Sequence, residues 1–185
     1  MTKIASILCL SLFLLAFQEK QAVFFSNTLE TSIYSDTPLE NIAATSKKGI
    51  SVYNIEKGEI QFNIPIKSLQ FKKSLMEEHF NENYMESYKY PFAKFKGKVN
   101  QVIDLSKNGE YPVTVSGNLD VHGVKKQRTI NGTITVNNGS ISIFSKFDVL
   151  CEDHGIKIPQ LVFQKIAESI QVTISGNYTP YKSSK

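Results

Sequence analysis

The stretch Val113-Thr-Val-Ser-Gly-Asn-Leu-Asp-Val121 decides the fold, because apolar or small residues alternate in it with polar ones. This period of two places every second side chain on the same face of a β-strand, whereas a helix needs apolar residues three and four positions apart. The same alternation recurs within residues 60–66, 130–136, 141–147 and 170–174. The sequence therefore predicts an all-β protein whose strands each have one apolar and one polar face.

Asn-Gly pairs lie between alternating runs at residues 108–109 and 138–139. Both residue types tolerate the positive φ of a tight hairpin turn, which predicts antiparallel neighbours. About eight strands fit between residues 23 and 178, enough to close a barrel or to stack as a sandwich. A closed barrel of about eight strands can hold one slender ligand in its interior.

Two segments break the alternation. In Lys73–Met85, apolar residues recur near helical spacing, with glutamates on the other side. Pro159–Ser169 opens with a proline, which is favoured in the first turn of a helix. We expect two short helices that cover the open ends or the rim of the barrel.

The composition favours one folded domain without nucleic-acid contacts. The chain has 185 residues, 41% of them hydrophobic and 21% charged. Its net charge of +4 is spread along the chain, with no run of like charges that would bind nucleic acid. The sequence has no nucleophile elbow, phosphate loop or dinucleotide fingerprint. We therefore expect a protein that is not an enzyme and needs no cofactor.

The N-terminus has the pattern of a signal peptide. Lys3 gives a positive start, and Ile4–Phe17 is an apolar run that is shorter than the roughly 20 residues needed to span a bilayer. We expect residues 1–22 to be removed, with cleavage somewhere in 16–22, although an uncleaved anchor is the alternative. This predicts a periplasmic or secreted protein with a barrel domain at 23–180 and a polar tail at 181–185.

Four motifs combine into a family resemblance. Ser68-Leu-Gln-Phe71 is followed by His79-Phe-Asn-Glu-Asn-Tyr-Met-Glu-Ser87 and then by Tyr90-Pro-Phe-Ala-Lys-Phe-Lys-Gly97. A last motif, Val115-Ser-Gly-Asn-Leu-Asp-Val-His-Gly-Val-Lys-Lys126, follows in the right order and spacing. Together they resemble the YceI-like family over about residues 23–180, in particular a short subgroup with the His79–Ser87 string.

The resemblance implies an extended, lipocalin-like antiparallel β-barrel of eight strands in a bacterial periplasm. It also implies a long apolar interior that binds a polyisoprenoid or a similar, fatty-acid-like lipid. Transient contact with a membrane would then accompany loading, and the chain could also pair as a dimer. Envelope carriage, storage or stress protection are the roles that fit such a binding protein.

Candidate residues for the apolar interior are mostly aromatic or aliphatic and lie in the predicted strands and helices. They are Phe62, Ile64, Phe71, Phe80, Phe92, Phe95, Val115, Leu119, Phe144, Phe147 and Phe163. Each of them could instead fill a solid core, since alternation does not distinguish a hollow interior from a packed one. A packed barrel that serves as an interaction or stress-response module is therefore the second hypothesis.

Polar candidates for contact with a ligand head group are His79, Asn83 and His122. A third hypothesis uses His79, His122 or His154 in a metal site. Such a site needs three or four converging ligands, and His79 with Glu82 on one helix face supplies only a pair. Cys151 precedes His154 closely but lacks a second Cys or His pair. We expect it to be a small buried residue, with pairing between chains as the alternative.

Overall fold

The computed structural model describes residues 23–36, 41–158 and 168–181. Within them the chain forms nine antiparallel strands in one sheet. The strands are β1 (Val23–Ser35), β2 (Ile42–Asn54), β3 (Glu59–Pro65), β4 (Gln70–Phe71), β5 (Phe92–Val99), β6 (Gly109–Val121), β7 (Val124–Asn137), β8 (Ser140–Leu150) and β9 (Ser169–Pro180).

The sheet closes on itself. Its strand order is β1-β9-β8-β7-β6-β5-β3-β2, and β2 pairs again with β1, from Val23 opposite Asn54 to Ser35 opposite Ile42. The two-residue β4 pairs only with β2, at Ala44 and Thr45, on the edge of β2 that carries β3 further along. The predicted eight-stranded antiparallel barrel is thus confirmed, and closure removes the free edges that an open sheet would expose.

One end of the barrel is solidly filled, and we call it the packed end. Phe24, Leu29 and Tyr53 come from β1 and β2, with exposures of 2%, 0% and 1%. Val136, Ile141 and Tyr178 join them from β7, β8 and β9, and all are buried. The Tyr178 hydroxyl donates to Ser51 Oγ (2.6 Å), which donates to the Gln61 carbonyl (2.7 Å). The hydroxyls of Tyr178 and Ser51 are therefore satisfied within a dense core.

A helical segment covers the other end. It begins as α1 (Ser74–His79), continues as a π-helical turn (Phe80–Tyr84) and returns to β5 through residues 85–91. We call residues 74–90 the cap. The predicted helix at Lys73–Met85 is thereby confirmed, and its second half is a wider π-helix. Short 3₁₀ turns also occur at Ile66–Ser68 and Glu152–His154.

The Phe-x-Gly part of the third motif lets two strands approach closely. Gly97 and Gly117 face each other across β5 and β6, and a Cβ on Gly117 would lie 2.4 Å from the Gly97 Cα. A Cβ on Gly97 would lie 2.6 Å from the Phe95 ring. Phe95 therefore packs over Gly97, and a side chain at either glycine would push the strands apart.

The turns partly follow the sequence expectation. Asn138 and Gly139 have φ of 50° and 77° and join β7 to β8 as a two-residue hairpin. The expectation was wrong for residues 108–109, because nine residues, 100–108, separate β5 from β6. Asn108 instead bonds across the packed end, accepting the Asn138 backbone N–H (2.7 Å).

The second predicted helix, Pro159–Ser169, lies mainly outside the described residues, and Ser169 itself already belongs to β9. The predicted signal peptide and residues 182–185 of the polar tail also lie outside them. None of the helices in the described ranges is long and apolar enough to span a bilayer.

Candidate functional site

A cavity of about 640 Å³ occupies the barrel beneath the cap. Its walls come from the cap-proximal halves of the strands, for example Ile33 on β1, Val121 on β6 and Ile170 on β9. Met76 and Phe80 of the cap form its roof. The volume lies within the roughly 300–1,000 Å³ range of ligand pockets in proteins.

Several inward side chains around the cavity are less buried than those at the packed end. Phe62, Phe147 and Val172 lie on inward positions of their strands, yet they keep part of their surface accessible. In a close-packed interior, such side chains would contact neighbours on all sides. The interior at this end is therefore hollow, and its lining is overwhelmingly apolar.

Most of the residues predicted for the apolar interior do line this cavity. They are Phe62, Ile64, Phe71, Phe80, Phe95, Val115, Leu119, Phe144 and Phe147. Phe71 and Phe80 also contact each other, with ring centroids 4.9 Å apart, so that the cap packs against β4. Phe62 and Phe95 form a second tilted pair across β3 and β5, at 6.2 Å.

Three of the predicted aromatic residues differ from the rest. Phe92 does not line the cavity and is 38% exposed, with the Lys94 ammonium 5.6 Å from its ring centre. Phe144 contributes to the lining, but its side chain is 51% exposed. Phe163 lies outside the described residues.

Several cavity residues were not among the candidates. They are aliphatic or sulfur-containing and include Ile33, Met76, Met85, Ile170, Val172 and Ile174. The signal for the last three was present in the sequence, since they alternate along β9 with polar residues. They are aliphatic, whereas most of the predicted lining residues are aromatic.

The polar candidates separate into two places. His79 lies in the cavity lining at the end of α1. Lys73 and Tyr84 also line the cavity, and burial raises the pKa of Tyr84. Asn83 and His122 do not line the cavity. Of the proposed head-group contacts, only His79 is placed where a ligand in the cavity could reach it.

His122 instead joins the cap to the barrel rim. Its Nε2 lies 2.9 Å from Glu86 Oε2, and its Nδ1 lies 3.2 Å from the His154 carbonyl oxygen. His154 is fully buried, and its own Nδ1 lies 3.0 Å from the Val124 carbonyl. The two histidines therefore meet through a backbone carbonyl rather than through two free ring nitrogens.

Among the described residues, this arrangement supports neither a metal site nor a reactive role for the Cys151 thiol. Within residues 23–36, 41–158 and 168–181, no three His, Cys, Asp or Glu side chains converge closely enough to hold a metal ion. Cys151 is buried beside the cavity, and burial raises the pKa of its thiol to about 11. The thiol is therefore protonated and weakly nucleophilic at neutral pH.

A closed eight-stranded antiparallel barrel with an apolar cavity under a helical cap defines the class of lipocalin-like barrels. The family model of the YceI-like domain matches residues 26–178. The chain belongs to the YceI-like family, as its motifs predicted. None of the curated proteins matches its sequence.

Solved structures with the same fold come from several bacteria. A polyisoprenoid binding domain from Saccharophagus degradans, implicated in plant cell wall breakdown, has a TM-score of 0.73 at 16% identity, covering 88% of this chain and 100% of that one. BcnA of Burkholderia cenocepacia has a TM-score of 0.68 at 14% identity, covering 82% and 96%. The Campylobacter jejuni YceI protein has 0.62 at 15% identity, covering 80% and 90%.

Proposed function

We propose that the protein is a non-catalytic binding protein that holds one long-chain apolar lipid, of polyisoprenoid type, inside the barrel. The observation that carries this proposal is the cavity of about 640 Å³ with its apolar walls. Burial of a lipid chain there is favourable by about 25 cal/mol per Å² of apolar surface removed from water. The polyisoprenoid binding domain of similar fold supports the choice of ligand.

The polar end of the lipid would lie at the cavity mouth, beside the cap. His79 and Lys73 line the cavity there and are themselves exposed to solvent. A lipid with its tail in the apolar interior and its head at this mouth satisfies both environments. In this arrangement the tail supplies most of the affinity, and the head fixes the orientation.

The biological setting that fits this activity is the bacterial envelope. The apolar run Ile4–Phe17 after Lys3 supports export to the periplasm or secretion. There the protein would carry or store the lipid, or protect the envelope under stress, with transient contact at a membrane during exchange. Cell fractionation and N-terminal sequencing of the exported protein test the location.

Mass spectrometry of an organic extract tests the ligand directly. The full chain is expressed with its own N-terminal segment, purified without detergent and extracted. We expect a long-chain isoprenoid or similar lipid at close to one molecule per barrel. An extract that stays empty, also after incubation with total envelope lipids, would exclude the lipid-binding function.

A further inference from the structure

The contact between His122 and Glu86 is the feature from which a further inference follows. Glu86 belongs to the cap, and His122 belongs to the turn between β6 and β7 on the barrel rim. The His122 side chain is 11% exposed and that of Glu86 is 34% exposed, so the pair is partly shielded from water. The two elements it joins are separated by 36 positions in the chain.

Both ring nitrogens of His122 face hydrogen-bond acceptors. Nε2 lies 2.9 Å from the Glu86 carboxylate, and Nδ1 lies 3.2 Å from the His154 carbonyl. A neutral imidazole has only one N–H and cannot donate to both. The arrangement is therefore complete when His122 carries two ring protons and Glu86 is ionised, as a charge-assisted hydrogen bond.

The backbone is held in uncommon conformations on both sides of this bond. His122 has a φ of 52° and Glu86 a φ of 41°, values that residues with a Cβ rarely adopt. Gly123 completes the two-residue turn with a φ of 74°, and the Tyr90 ring occupies the space where a Cβ would be. The Tyr90 ring also packs on the His122 ring, with centroids 4.6 Å apart.

This bond is the cap's single side-chain hydrogen bond to strands β6–β9 and their turns among the described residues. The other side-chain hydrogen bonds of the cap are within the cap itself or to the adjoining β4. Glu77 accepts the Phe71 backbone N–H (3.0 Å), and Asn81 donates to the Glu77 carbonyl (2.9 Å). The cap is thus anchored on the β4 side by its own chain and on the opposite rim by His122.

We propose that the His122–Glu86 pair is a protonation-dependent latch that keeps the cap closed over the cavity and slows release of the bound lipid. The inference rests on the proposed lipid-binding function, because the cap roofs the proposed binding cavity. His122 and Glu86 are positioning residues, since neither lines the cavity. Loss of one proton from His122 leaves one of its two acceptors without a donor, and the latch weakens.

The ionisable groups around His122 come from three elements. Glu86 and Tyr90 face it from the cap, with the Lys89 ammonium 4.9 Å from the Tyr90 ring centre. His154 faces it from the turn after β8 through its carbonyl, with its imidazole engaged at Val124. Asp120 and Lys125 flank the turn as partners across β6 and β7. Glu86 is the group whose contact depends directly on the protonation of His122.

The test measures how fast a non-ionisable probe, NBD-labelled geranylgeraniol, leaves the full-length protein for phosphatidylcholine vesicles. In wild type, release should accelerate as the pH rises, because the latch is complete only when His122 carries both ring protons. The variant His122→Asn keeps the turn, since Asn-Gly is the favoured pair for positive φ at both positions. At pH about 5.5 it should release the probe about tenfold faster, as loss of a charge-assisted bond predicts.

The variant Glu86→Gln tests whether slow release depends on the second ring proton of His122 or only on a hydrogen bond between the two side chains. The amide can accept from a protonated Nε2 or donate to a deprotonated one, so the contact should survive at either pH. We expect slow release with no dependence on pH in this variant. If His122→Asn releases the probe at the wild-type rate with the wild-type pH profile, the latch does not exist.

A second readout works without a ligand, so that failure of the latch and failure of lipid binding are distinguishable. In the cap, the backbone N–H of Met85 donates to Phe80 and that of Ser87 to Asn81. Hydrogen exchange at these amides should be about tenfold faster in His122→Asn at pH about 5.5. Unchanged exchange overturns the latch, whereas faster exchange in a protein that binds no probe keeps the latch and overturns the lipid-binding function.

Discussion

The two ends of the barrel are built from the same strands with the same alternation, yet one is solid and the other hollow. At the packed end, Leu29 and Ile141 are 0% and 1% exposed and contact neighbours on every side. Under the cap, Val115 and Phe147 occupy equivalent inward positions but border an open volume. The difference lies in what fills the interior, not in the strands.

This comparison separates stability from binding. Dense packing maximises dispersion contacts and the burial of apolar surface, so a side chain at the packed end should contribute more to the folding free energy than a side chain of the same size at the cavity. Apolar surface that borders a cavity forgoes some of those contacts, and a ligand can restore them. The hollow end is therefore the part of the molecule where a lipid gains affinity at modest cost to the fold.

The largest expected effect comes from truncating an isoleucine to alanine at each end of the barrel and comparing the two losses of stability. Ile141→Ala at the packed end should lower the free energy of unfolding by about 2–5 kcal/mol, because it leaves a cavity in a dense core. Ile33→Ala removes the same atoms from a half-buried position at the cavity wall and should cost about 1.5 kcal/mol or less. Urea denaturation measures both. Equal losses would mean that the two ends are packed alike.

Replacing a valine by the larger phenylalanine at each end tests the same difference in packing. Val136→Phe forces a ring into the packed end, where Val136 is 1% exposed, and should destabilise the protein by about 1–3 kcal/mol. Val115→Phe places the same ring in open volume and should leave the free energy of unfolding within about 1 kcal/mol of wild type. It should also weaken probe binding about tenfold, because the ring takes space that the lipid chain needs.

The control for this pair is thermal unfolding of both variants beside the binding titration. A stable Val115→Phe variant that binds the probe with wild-type affinity would place the lipid elsewhere. A strongly destabilised one would show that the interior near Val115 has no free space.

Much of the fold followed from the sequence. Strict alternation between residues 113 and 121 predicted the strands, and helical spacing at Lys73–Met85 predicted the cap. The family motifs also predicted the fold, and the structure shows the physical reason. Phe95 packs over Gly97, and Tyr90 packs over Gly123, so each motif aromatic needs its glycine.

The cavity lining could be predicted only in part, because residue type was given more weight than position in the strand. Phe92 and Phe95 are three positions apart on β5, so they cannot both point into the barrel. The same parity separates Phe144 from Phe147 on β8. Strand parity, applied to every candidate, would have excluded Phe92 and included the aliphatic positions of β9.

The hollow interior and the contacts of His122 could not be predicted from the sequence, for a different reason. Alternation reports which face is buried, but it is identical for a solid and a hollow interior. His122 and Glu86 are brought together by the path of the cap across the barrel mouth, and nothing local to either residue indicates the other. Both features depend on how distant elements are placed in space.

The smallest effect we expect concerns the pH stability of the packed end. Burial raises the pKa of Tyr53 from its usual 10.0 to about 12, and it raises that of Tyr178 as well. Below pH about 10 the Tyr53 phenol is protonated in both the folded and the unfolded chain, so its contribution is fully present. As the pH rises from 10 toward 12, the unfolded chain loses the proton first, and about 1–2 kcal/mol of stability is lost.

Tyr53→Phe should reduce this loss. The unfolding free energy, measured by urea denaturation, should fall less between pH 9 and pH 11.5 in the variant than in wild type. If the variant and the wild type lose stability in parallel, Tyr53 is not desolvated, and the packed end is wetter than its burial indicates.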